Sequence, residues 1–94
     1  MITHFVVHDK ADTVGVVVVD KIYQGQEVSG WVMETDETII LKSLADIPLG
    51  HKLALQKIDF DDTIIKYGND IGRAVEEIAK GGYVHVHNVK TKRW

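Results

Sequence analysis

Short runs of Val, Ile and Thr, punctuated by polar and turn-forming residues, dominate the first two-thirds of the chain. "HFVVH" and "VGVVVVD" predict strands separated by "DKADT", where Asp9, Lys10 and Asp12 suit a turn. "GQEVSGWVM" and "TIILKS" predict two more, joined across the polar "ETDE", with Trp31 and Met33 read as core residues. In "DIPLGHKLALQKI", Pro48 restricts Ile47 to extended conformations and Gly50 can take a positive φ, so a turn precedes the alternating "KLALQKI". "DTIIKYG" and "YVHVHNV" complete the set of strands.

The segment "NDIGRAVEEIAKGG" breaks this rhythm. Ile71, Ala74, Val75, Ile78 and Ala79 recur at helical spacing. Asn69 or Asp70 can cap the first turn, and Gly81 and Gly82 can end the helix. The pattern therefore predicts a mainly β domain of about seven short strands, mostly antiparallel, with one covering α-helix near residues 70–80. No internal repeat or linker stands out.

Composition narrows the classes of function. Ninety-four residues favour one small domain. Without cysteine there is no disulfide, thiolate metal site or cysteine nucleophile, so any metal must use His, Asp or Glu. A net charge of −3 disfavours general nucleic-acid binding. The longest apolar run, "VGVVVV", falls far short of the roughly 20 residues that span a membrane. The start lacks a signal-peptide pattern, so the expectation is a cytoplasmic chain without membrane or nucleic-acid partners.

Three segments offer chemistry. On a continuous strand His85 and His87 would share one face, roughly 6.5–7 Å apart, close enough to converge on a metal or an anionic substrate. A solvated pair without a partner fits the same spacing, and no third ligand lies nearby in sequence. In "PLGHK", His51 and Lys52 follow a glycine turn and could meet an anion or simply line a connecting loop. In "KYGNDIG", Lys66 and Gly68 precede a helix start that would favour a negative ligand. Asp59, Asp61 and Asp62 suit a solvated turn better than a cation site. No serine–histidine–aspartate set, Walker loop or dinucleotide fingerprint occurs. The cations and imidazoles suit anion recognition better than a complete active site.

Taken in order, "IPLGHKLAL", "IIKYGNDIG" and "GGYVHVHN" resemble the small β domain that opens altronate and galactarate dehydratases, a domain of the SAF class with a β-clip fold. The opening "HFVVHDKADTVGVVVVDKI" is also similar to its first strands, so the resemblance covers nearly the whole chain. With "GWVM" and the ending "VHVHNVKTKRW", the chain is similar to the small subunits of the sulfolactate-cleaving branch, in which a large subunit completes an iron(II)-dependent lyase. The resemblance implies one SAF-like domain over residues 1–94, part of a carbon–sulfur lyase inactive without its large (beta) subunit. It implies His85 and His87 as catalytic or metal-contacting residues, with the remaining ligands of Fe(2+) coming from the large subunit. His51, Lys52, Lys66, Tyr67 and Asn88 would bind a small anionic substrate, and the complex could form homo-oligomers. A split sugar-acid dehydratase and a non-catalytic SAF-type binding module are the competing readings.

Overall fold

The computed structural model describes residues 2–91. It contains eleven short strands: β1 (Phe5–Val7), β2 (Val14–Val17), β3 (Lys21–Ile22), β4 (Glu27–Val32), β5 (Glu37–Lys42), β6 (Ile47–Pro48), β7 (Lys52–Ala54), β8 (Thr63–Lys66), β9 (Asn69–Ala74), β10 (Tyr83–Val84) and β11 (Val89–Lys90). A six-stranded sheet has the order β10-β7-β2-β1-β4-β5, a three-stranded sheet β11-β9-β8, and β3 pairs with β6. Pairing is antiparallel except for β1 with β4, where Phe5, Val6 and Val7 lie beside Gly30, Trp31 and Val32. That register depends on Gly30, because a Cβ there would lie 2.0 Å from the Phe5 ring.

Leu53 and Ala54 are consecutive on β7, so their side chains leave opposite faces of the sheet. Leu53 joins a core with Phe5, Val7, Val17, Ile22 and Ile47. Ala54 joins a second core with Val14, Ile58, Ile64, Ala74, Ile78 and Val84. The small sheet closes over this second core, and hairpin β8–β9 turns through Tyr67 and Gly68, with φ of 52° and 74°. Positive φ at both central residues is the type I′ signature, which matches the twist of the flanking strands. Buried Asp12 ties the turn to the large sheet by accepting the Gly68 N–H at 2.7 Å.

The helix expected over residues 70–80 is absent, and among the described residues there is none. Asn69–Ala74 is β9, paired with β8 and β11. Gly72 explains the outcome: its φ is 139°, and a Cβ would meet the Lys90 carbonyl oxygen at 2.3 Å. Ala74 and Ile78 are buried as expected, but by a strand and a tight turn. The continuous strand expected for "YVHVHNV" is also interrupted. Only Tyr83–Val84 and Val89–Lys90 are strand, and residues 85–88 form a turn in which the Asn88 N–H donates to the His85 carbonyl at 3.1 Å.

An internal repeat of twenty residues, marked in the sequence by little more than Ala54/Ala74 and Ile58/Ile78, relates the two halves of the second core. Ile58 and Ile78 exchange both backbone hydrogen bonds at 2.8 Å. The Asp61 N–H donates to the Ala74 carbonyl, just as the Gly81 N–H donates to that of Ala54, each at 2.8 Å. Asp61 and Gly81 both have positive φ, 73° and 85°. The repeat places Ile64 and Val84 equivalently in the core.

Trp31 and Met33, expected in the core, are instead 40% and 42% exposed. On β4, buried Val28 and Val32 claim the inner face, and Trp31 points outward to donate its indole N–H to Asp36 at 2.9 Å. Among the described residues no helix is long and apolar enough to cross a membrane.

Candidate functional site

His51 ends the Pro48–Gly50 turn and leads into β7, beside β10. Pairing of Lys52 with Val84 and of Leu53 with Tyr83 brings "GHK" against "YVH". The His51 and His85 rings stack at 3.9 Å between centroids, 22° from parallel. Tyr83 lies beside both, its ring 5.6 Å from His51 and 5.9 Å from His85, and its hydroxyl is hydrogen-bonded to His51 Nδ1. The His87 ring leans on Tyr83 from 5.2 Å.

Lys52 lies on the face of β7 that covers the second core, because its side chain follows Ala54 in the strand alternation. Burial lowers its pKa, and the nearby Lys66 ammonium lowers it further. Neither lysine forms an ion pair among the described residues. His85 is also held below the ordinary imidazole value, by burial first and then by His51, Lys52 and His87. An anion bound here would relieve the repulsion that Lys66 exerts on Lys52 and that His51, Lys52 and His87 exert on His85, so the site is suited to one. An open pocket of about 220 Å³ adjoins it, with Lys52, His85 and Lys90 around an apolar floor of Ile71 and Val89.

The expected residues do not all converge. Tyr67 packs its ring on His8, at 5.2 Å, with Lys66 Nζ 5.3 Å above it. Asn88 is buried: its Oδ1 accepts the His85 N–H at 2.9 Å and its Nδ2 donates to the Tyr83 carbonyl at 2.8 Å. Its amide therefore shapes the turn that carries the histidines. Tyr83 is the residue that sequence reasoning missed, although its position two before His85 in "GGYVHVH" was a signal.

The donors do not make a metal cage on their own. No group of three His, Asp or Glu side chains converges among the described residues. A metal-bound imidazole ordinarily donates its second ring N–H to an acceptor, yet the buried Nδ1 of His85 has no partner among the described residues. The acidic cluster is a turn, with Asp62 accepting the Asp59 N–H at 3.0 Å and Asp61 pairing with Arg73 at 3.3 Å.

This mainly β domain belongs to a known class. The family model of the altronate/galactarate dehydratase SAF domain matches residues 3–92, and the chain belongs to that family. It is 56% identical over 90 residues to the (2R)-sulfolactate sulfo-lyase subunit alpha of Chromohalobacter salexigens, covering 96% of each chain. The subunit of the same name from Paracoccus pantotrophus is 56% identical over 54 residues, covering 57% of this chain and 81% of that one. The altronate dehydratase of Escherichia coli is 40% identical over 80 residues, covering 85% of this chain and 15% of the relative.

Proposed function

We propose that this chain is the small subunit of a two-subunit lyase that eliminates sulfite from (2R)-3-sulfolactate to give pyruvate. The reaction removes the proton on the carbon bearing the hydroxyl, breaks the neighbouring carbon–sulfur bond and releases sulfite with the electron pair. The enol that remains ketonises to pyruvate. The substrate carries a carboxylate and a sulfonate, so its pocket must supply more cationic contacts than one for a sugar acid.

The observation that carries the proposal is the assembly of Lys52, His51 and His85 from two separate segments into one cluster, with the charge of Lys66 felt at Lys52. In this reading the cluster receives the anionic oxygens and forms one wall of the pocket. The large subunit brings the base and holds iron(II), consistent with a donor set here that is too small for a metal. The match to relatives named as alpha subunits supports the division between chains.

Co-expression with a candidate large subunit tests the proposal. The expected result is co-purification, with sulfite and pyruvate formed from sulfolactate in equal amounts. Formation of 2-keto-3-deoxy acids from altronate or galactarate, without sulfite release from sulfolactate, would instead identify a split sugar-acid dehydratase. Failure of any large subunit to associate would favour a non-catalytic binding module.

A further inference from the structure

We infer that Tyr83 is a positioning residue: its hydroxyl locks His51 so that stacked His51 and His85 both present an Nε2–H donor to a substrate oxyanion. The inference deepens the reading above and rests on it for the identity of the anion, a carboxylate or a sulfonate. It separates these two imidazoles from metal ligation and from base chemistry in their resting state, because neither leaves its outer nitrogen with a free lone pair.

The Tyr83–His51 bond has two possible directions. A phenol is a stronger acid than a neutral imidazole N–H, and the imidazole lone pair is a stronger base than a phenolic oxygen. The O–H therefore donates to Nδ1. His51 Nδ1 is also the one acceptor that the Tyr83 hydroxyl reaches among the described residues, so the reverse direction would leave the phenolic proton without a protein partner. With Nδ1 accepting, the single proton of neutral His51 resides on Nε2.

His85 reaches the same state by a different route. Its Nδ1 is buried without a partner among the described residues. A buried N–H with no acceptor is rarer than an under-used acceptor, so the proton is better placed on Nε2. The ring is kept neutral by burial and by the neighbouring His51, Lys52 and His87. The Asn88 side chain fixes the backbone of the same residue, holding the turn from which the His85 ring projects. At 3.9 Å between near-parallel rings, two imidazolium charges would repel each other.

Long-range proton–nitrogen correlation spectra of the full chain labelled with ¹⁵N-histidine, near pH 7.5, test the inference. Both His51 and His85 should show the Nε2–H tautomer in the wild type. In Tyr83→Phe, which keeps the ring and removes the hydroxyl, His51 should lose its single tautomer while His85 keeps its own. An Nδ1–H signal dominating on either ring of the wild type overturns the inference, and so does an unchanged His51 pattern in Tyr83→Phe. The wild-type spectrum decides the point even if the variant folds poorly. Because the tautomers are read without a partner chain or a substrate, this result is independent of whether the assembled enzyme cleaves sulfolactate.

Discussion

Replacement of Asn88 by alanine removes the brace under the histidine turn. The side chain is 3% exposed and makes two hydrogen bonds to backbone, one with the His85 N–H and one with the Tyr83 carbonyl. Each backbone group left without its partner in a part-buried setting costs about 1–3 kcal/mol, so the two together predict a loss of about 2–6 kcal/mol. For a domain of this size each kcal/mol shifts Tm by about 4–8 °C, so the melting temperature should fall by at least about 8 °C. Asn88→Asp keeps an acceptor for the His85 N–H but turns an oxygen toward the Tyr83 carbonyl, and its loss should be no smaller than half that of the alanine variant. Urea denaturation followed by far-ultraviolet circular dichroism gives the free energies. A loss of less than about 0.5 kcal/mol for Asn88→Ala would show that the turn is held by other means and that Asn88 is free to contact a ligand.

The other predictions concern charge and backbone. Lys52→Met removes a charge that burial and Lys66 both disfavour, so the variant should melt higher than wild type, as read by calorimetry. The depressed value of His85 means that the unfolded chain, near 6.5, takes up a proton more readily than the folded one. Its stabilising contribution is therefore present above about pH 6.5 and lost as pH falls through the folded value; Tm should be flat from pH 7 to 8 and decline on acidification, less steeply in His85→Asn. Gly72→Ala forces a Cβ to within 2.3 Å of the Lys90 carbonyl oxygen at a φ of 139°, and denaturation should report a loss of about 2–4 kcal/mol.

Much of the β architecture was legible because Val and Ile runs are bounded by turn residues, as in "HFVVH" and "DTIIKYG". The misread segment shows where periodicity fails. Ile71, Ala74 and Ile78 keep helical spacing, but a strand followed by a tight turn can bury Ala74 and Ile78 equally well. Gly72 argued for the strand, since glycine is costly inside a helix and is needed where Lys90 approaches. The resemblance of Ala54–Ile58 to Ala74–Ile78 was a second clue, hidden because the equivalence lies in backbone bonds and burial more than in residue identity. At the site, alternation placed His85 and His87 on one strand face, whereas Asn88 bends the chain there into a turn that exposes Val86. Alternation did carry a signal for Trp31, which shares its face of β4 with Glu27 and Ser29, opposite Val28 and Val32. The stacking of His51 on His85 depends on pairing between β7 and β10, a contact that local pattern does not encode.

The most direct test of the account is kcat/KM for sulfolactate in the assembled complex, compared between wild type and Lys52→Met. A charged contact to the substrate should be worth about 2 kcal/mol or more, so the variant should lose more than about tenfold while the subunits still assemble. A value within about twofold of wild type would contradict the claim that this chain's cationic cluster forms part of the substrate pocket.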